Sequence, residues 1–525
     1  MSGRTRVAHA ARGMGSAALL AAGLMIQPAL VRAEQVLRVN IAADPAMIDP
    51  VTYSELVAHD VMAPLYEGFT STAADGTAVP ALALSWTGSA DGKVLTFRLR
   101  PNVHFHSGRI FGANDVKYTF EALLRPGSKG GLNAPLLANV TGAKDFAAGK
   151  AAEIVGVKVI DPLTVEVDFD KTVALFPIYP FQFMDAGIVA EQGPDWMTKV
   201  SAGTGPFKFV AWKRGVEVDE AVNPAYWGGA PKIDGIRFLI VPSGDTAVSM
   251  YDADELDFVA VPENAYRRVL DDARYAAELI KVPKAQINYL GMNQTLYAPF
   301  RDARVREAIS LAINREAMIR GLYNGAAVPL NGQVTPGVAG YSNDLPPLAY
   351  DPERARGLMT EAGFPGGKGL PPVQITGTAP NKDLITYLAS QFNKVLGMQV
   401  AVNVAERATH IKAMNAGEVA FFPWGWTADY PDAATFLQEV WYSGSPYNRS
   451  RWKNADYDRL IDRAMMQTVP ERRYALYHQA EHLLMENWAT APLPITTYVA
   501  LRHANVQGLT MTPFGFSSFQ LVTMH

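Results

Sequence analysis

The period of apolar and polar positions changes several times along the chain, and each change predicts an element. Val36-Leu37-Arg38-Val39-Asn40-Ile41 alternates with period two and reads as a strand, stopped by Asp44-Pro45 and Asp49-Pro50. Residues 54–69 take helical spacing through Val57, Val61, Met62 and Leu65. Two strands, 81–86 and 94–100, flank the turn signal Asp91-Gly92. Asn114-Asp115 starts a helix with a polar cap, and 155–169 holds strands around Asp161-Pro162. Residues 125–152, full of Gly, Ala and Asn, read as a surface excursion.

Further along, Gly203-Thr204-Gly205-Pro206 is a turn feeding a strand, and 236–241 and 255–259 are strands. Asp302 caps a helix carrying Val305, Ile309, Ala312 and Ile313 on one face; Asp351-Pro352 opens another. Residues 373–375, a helix through Leu384, Leu388 and Phe392, and 400–404 read as β-α-β. The stretch 456–487 is mostly helical and 495–500 strand-like. These elements predict a mixed α/β protein with at least two lobes.

Residues 1–33 break from this pattern. Arg4, Arg6 and Arg12 precede an apolar run from Met14 to Ile26, then Pro28 and Val31-Arg32-Ala33, which puts small residues at −3 and −1 of a cleavage site. That is the arrangement of a secretory signal, with an uncleaved anchor as the alternative; the run is short of the about 20 residues of a bilayer span. The remaining 492 residues carry a balance of −8, against −4 for the whole chain. A soluble, acidic, exported protein follows, and an acidic balance argues against phosphate-backbone binding. At about 150 residues per domain the length suggests three or four units. Zero cysteines exclude disulfides, thiolate metal sites, thiol nucleophiles and a lipid anchor on cysteine, which favours the periplasm.

Catalytic signatures are scarce. Neither a glycine-rich phosphate loop nor a G-x-S-x-G elbow occurs, and Ser450-Arg451-Trp452-Lys453 matches S-x-x-K by letters alone. His478 and His482 stand four apart on a helix but lack the glutamate of H-E-x-x-H, and an exposed polar face accounts for them. His104 and His106 alternate across Phe105 and read as surface imidazoles beside a turn.

The chemistry concentrates in 421–441. An apolar strand ends in Trp424-Gly425-Trp426, followed by Asp429, Tyr430 and Pro431-Asp432. Open α/β sheets place ligands at the carboxyl ends of strands, and aromatic walls with a convergent carboxylate suit an amine-bearing ligand. The competing account is a core strand whose tryptophans simply pack, with both aspartates capping the next helix.

Four ordered segments resemble the extracytoplasmic solute-binding proteins of the peptide, nickel and opine class (family 5) that serve ABC importers. They are 100–116 (with Ser107 where aspartate is usual), Gly203-Thr204-Gly205-Pro206-Phe207, 293–308, and Trp426-Thr427-Ala428-Asp429-Tyr430-Pro431-Asp432. The resemblance implies a two-lobed periplasmic binding protein fold (type II, cluster C-like), with an extra domain, mixed sheets and a hinge. Domain I would comprise 34–75, 196–281 and 493–525, domain II 76–195, and domain III 282–492. A peptide or related amine-bearing solute would be enclosed between lobes and handed, without catalysis or cofactor, to permease subunits in the inner membrane by a monomeric receptor. In peptide-binding members the aspartate at the Asp429 position pairs with the ligand amine. By that carry-over Asp429, Trp426, Trp424, Tyr430 and Gly425 form the site, with the loop at Ala43 and Asp44 approaching from the other segment. The arginine by which dipeptide binders hold the ligand carboxylate is missing from Thr376-Gly377-Thr378-Ala379-Pro380-Asn381. A nickel or metallophore receptor, and a secreted peptidase or amidase, are the alternatives.

Overall fold

The computed structural model describes residues 34–53, 55–73, 78–128, 131, 133–193 and 195–525; the expected signal at 1–33 lies outside them. Three sheets organise these residues. The first has eight strands, running in space Leu279–Pro283, Ile495–Arg502, Phe258–Ala260, Val36–Ile41, Gly235–Ile240, Glu217–Val222 and Phe207–Lys213, with Ala327–Val328 attached to Ile495–Arg502. At its centre Val36–Ile41 runs parallel to Gly235–Ile240 in one-for-one register. The second is an antiparallel sheet of four, Ala83–Gly88, Val94–Leu99, Thr164–Asp168 and Val157–Asp161. The third has five, in the order Val400–Ala405, Val373–Thr378, Phe421–Thr427, Gln286–Met292 and Ala491–Leu493. No helix among the described residues is long and apolar enough to cross a membrane.

Burial follows the alternation that the sequence displays. Leu37, Val39 and Ile41 are buried from the first sheet together with Phe97 and Val165 from the second, forming one apolar cluster. The five-stranded sheet is covered on both faces. Ile375 and Phe421 meet the helix Lys382–Leu396 through Leu388 and Phe392; Ile287, Tyr289 and Phe422 meet Ala434–Trp441, Ala455–Met465 and Pro470–Glu486. The expected β-α-β is present, with Val373–Thr378 parallel to Val400–Ala405.

Two adjacent strands carry the chain from the first sheet to the third. Leu279–Pro283 pairs with Ile495–Arg502, and Gln286–Met292, directly after it, pairs with Ala491–Leu493. Lys284 N–H donates to the Thr496 carbonyl at 3.0 Å within this crossing, and the Asn288 amide donates to the Pro494 carbonyl at 3.0 Å. Few residues absorb the change of direction, which is the construction of a hinge.

Three local readings need correction. Residues 125–152 are not all excursion: a turn of 3₁₀ helix at Ala134–Leu137 buries Leu137, a short helix Ala143–Ala147 buries Phe146, and Val140 between them is buried too. The helix expected at Asn114 starts from Gly112, whose N–H donates to the Asp115 side chain at 2.9 Å, so the polar cap acts from inside the first turn. His106 is not a surface group. Its ring nitrogens lie 2.6 Å from Ser201 Oγ and 3.0 Å from the Gly205 carbonyl, and burial pushes its pKa down to about 4.

Candidate ligand site

The strand Phe421–Thr427 pairs along its whole length with Gln286–Met292, Trp426 opposite Ile287 and Trp424 opposite Tyr289. On its other side it pairs with Val373–Thr378 only where Ile375 meets Phe421. From Pro423 onward, therefore, one edge of the strand has no partner strand among the described residues. Pro423, which has no N–H to give, sits where the ladder ends. Alternation sends Phe421 into one core and turns Phe422, Trp424 and Trp426 to the opposite face. Gly425 faces away from the tryptophans: a Cβ there would lie 2.7 Å from Asn288 Oδ1.

At the end of this strand Asp429 is exposed, and its backbone N–H donates to Thr435 Oγ1 at 3.1 Å. The helix Ala434–Trp441 then brings Glu439 back beside it. The two carboxyls hydrogen-bond to each other, and the Tyr430 hydroxyl donates to Glu439 Oε1 at 2.8 Å. Desolvation raises both: Asp429 is pushed above the ordinary aspartate value, and Glu439 is pushed up to about 8 by burial and by the Asp429 charge. The pair therefore holds one proton and one negative charge near neutrality, and no basic side chain of the described residues is among the groups acting on it.

Tyr430 itself is buried beneath the pair, its ring 5.1 Å from that of Tyr179. Tyr179 packs against both the cluster shared by the first two sheets and the cluster behind the tryptophan strand. Asp429 thus stands where the two bodies of core meet. Trp426 stacks obliquely on Tyr447 at 4.6 Å between centroids. Ala43 is exposed and Asp44 half-buried. Asp44 accepts from Trp212 Nε1 at 2.8 Å and from Gly215 N–H at 2.9 Å, so its hydrogen bonds run to the hairpin 207–222 and not to the tryptophan strand. Trp424 and Trp426 share one strand face, and Asp429 and Tyr430 follow just past the end of that strand; Asp44 hydrogen-bonds within the first sheet's hairpin.

Glu439, Tyr179 and Tyr447 were not legible as site residues. Glu439 left one signal, the lone charge in the helix Ala434-Thr435-Phe436-Leu437-Gln438-Glu439-Val440-Trp441. Asp432, by contrast, is 0% exposed, caps that helix through Ala434 N–H at 3.0 Å and pairs with Arg473 at 3.0 Å. Of the two aspartates in the motif, the second is scaffold. Among the histidines, His478 reaches the Gly340 carbonyl at 3.2 Å and His482 reaches Asp344 at 3.2 Å. No group of three or more candidate metal ligands occurs among the described residues.

Two sheet-bearing bodies joined by paired crossing strands, with an aromatic strand and a carboxylate at their meeting place, define a two-lobed solute-binding protein. The family model for bacterial extracellular solute-binding proteins, family 5, matches residues 77–448, and the chain belongs to that family. Its members are receptors that bind solutes. The chain is 29% identical to heme-binding protein A of Haemophilus influenzae over 85% of this chain and 84% of that protein. It is 29% identical to di/tripeptide-binding protein 2 of Pseudomonas aeruginosa, over 93% and 94%. Among solved structures it is similar to the unliganded open form of the periplasmic murein tripeptide binding protein MppA, with a TM-score of 0.82 and 25% identity over 94% of this chain and 98% of that one. The relatives differ in what their names say they bind, so the choice of solute rests on the side chains of this site.

Proposed function

We propose that the chain is the periplasmic receptor of an ABC importer for peptides that carry a free amine. The signal at 1–33 would direct export, with cleavage near Ala33, and the closed, loaded monomer would dock on permease subunits and release the peptide chemically unchanged. The observation that carries the reading is the strand edge after Pro423, which has no partner strand among the described residues, beside Trp424 and Trp426 and leading to the Asp429–Glu439 pair. An extended peptide satisfies such an edge through its backbone, as an added strand does. Its amine supplies the positive charge that the carboxyl pair lacks. Tryptophan faces add contact area without demanding one side-chain chemistry.

Binding would select a closed form from an existing open–closed equilibrium about the paired crossing strands. The names of the peptide-binding relatives support this reading. Native mass spectrometry of the protein purified from its own host tests it, followed by calorimetry with what co-purifies. A co-purified peptide whose N-acetylated form no longer binds is the expected result. A co-purified solute without an amine refutes it.

A further inference from the structure

Three basic side chains surround Trp424. The Arg449 guanidinium lies 4.7 Å from the ring centroid, that of Arg407 5.7 Å, and His410 meets the indole edge-on at 5.9 Å between centroids. Two of them are deep, His410 being 1% exposed and Arg449 5%. Arg449 Nε donates to Asn415 Oδ1 at 3.0 Å, but Arg449 Nη1 has no hydrogen-bond partner, nor has either nitrogen of His410. The ionisable groups facing Arg449 are His410 and the Tyr447 and Tyr289 hydroxyls, the last of which hydrogen-bonds to its side chain, with no carboxylate among them. An interior guanidinium with an open donor, beside an imidazole with two open nitrogens, costs folding free energy that a hydrogen-bonding partner would return.

These groups pack around a side chain on the strand face that carries both tryptophans. Trp424 and Trp426 are two apart and point the same way, and Tyr447, which packs on Trp426, is two residues before Arg449. Along the chain the segment therefore reads cationic around Trp424, aromatic at Trp426 and, two residues past the end of the strand, anionic at Asp429.

We propose that the Arg449–His410 recess receives the carboxylate of the ligand whose amine is held at Asp429. The proposal rests on the peptide reading above and narrows it to free, zwitterionic peptides. A neutral His410, which burial and the neighbouring Arg449 favour, donates one hydrogen bond there, and Arg449 Nη1 donates another. At about 3.3 Å per residue, positions 424 and 429 are at most about 16 Å apart. Extended peptides cover that span with about four or five residues at about 3.5 Å each, which sets an upper length. The recess thus takes the part of the arginine missing from the turn after Val373–Thr378, from a different element.

Calorimetry with oligo-alanines of two to six residues, each as free acid and as C-terminal amide, tests this on the unaltered protein. The expected result is an acid preference of about tenfold or more, the scale of one hydrogen bond to a charged group. It should be greatest at three to five residues, and Arg449→Met should weaken the acid but not the amide. Equal binding of acid and amide by the unaltered protein overturns the carboxylate recess while leaving the peptide reading intact. A full acid preference in a folded Arg449→Met variant overturns it as well. Binding of no peptide in either form overturns both readings together.

Discussion

Glu439 hydrogen-bonds to Asp429 and accepts a second hydrogen bond, of 2.8 Å, from the Tyr430 hydroxyl. The two carboxyls thereby take different roles. Both are raised by burial, Glu439 up to about 8 with the Asp429 charge adding to it, while Asp429 is the exposed member at the end of the strand. Neutralising each in turn should separate them. Asp429→Asn removes the charge that meets the ligand amine and should weaken peptide binding by about 2–4 kcal/mol. Glu439→Gln keeps a neutral donor beside Asp429 and should cost less than about 1 kcal/mol at pH 7. Calorimetry decides, and equal losses in the two variants would reject the division of roles.

The same pair makes stability depend on pH. An unfolded glutamate titrates near about 4.3, whereas folded Glu439 titrates near about 8. The folded protein thus holds a proton that the unfolded chain gives up. That contribution is fully present below the unfolded value and is lost as pH rises through the folded one. The ligand-free protein should melt progressively lower from pH 5 to pH 8.5 on this account. Glu439→Gln should flatten that part of the profile, and an unchanged slope in thermal melts of the variant would contradict the assignment.

Much of the scaffold is written in local pattern. The strands 36–41 and 94–99 alternate, 421–427 is an apolar run, and Asp302 and Asp351 cap their helices, accepting from the N–H groups of Arg304 and Arg354. The aromatic strand and Asp429 were legible because an unusual composition falls at a strand end. The rest of the site was not, because it is assembled from distant segments. Tyr179, Arg449 and His410 come from three places in the chain, and nothing local in each marks its destination. Several motif residues that carried the resemblance are structural. Ser107 donates to Asp185 at 2.6 Å, and Asn293, 0% exposed, accepts from Thr295 and Leu296 N–H in a turn. Motifs of this kind report the fold more directly than the ligand.

Asp432 illustrates that difference and can be tested for it. Its ion pair with Arg473 is enclosed, and Asp432 also fixes the start of Ala434–Trp441, the helix that carries Glu439. Removing one partner strands a buried charge, so Asp432→Ala should cost about 3–5 kcal/mol in urea unfolding. The double variant Asp432→Leu with Arg473→Met should recover part of that, since no unpaired charge remains. A double variant as unstable as the sum of the singles would show no coupling between the two side chains and would reject mutual neutralisation as the reason for the pair.

The Gly203-Thr204-Gly205-Pro206 turn gives the sharpest contrast within one residue type. A Cβ on Gly205 would lie 2.3 Å from the Pro64 carbonyl oxygen, and one on Gly203 2.0 Å from that of Leu65. Both obstacles are backbone, and Gly205 N–H already donates to Leu65 at 3.0 Å, so neither strand of chain can withdraw cheaply. Gly205→Ala should therefore cost about 4 kcal/mol or more, in the range where overpacking and lost backbone pairing combine. Gly357, inside the helix Pro352–Glu361, has nothing within 4 Å of its missing Cβ. There Gly357→Ala should stabilise by about 0.5–1 kcal/mol, because alanine lowers the entropy cost of the helix. Chemical denaturation of the two variants side by side measures both signs. A harmless Gly205→Ala would show that the turn glycines are present for some reason other than the close approach of two backbones.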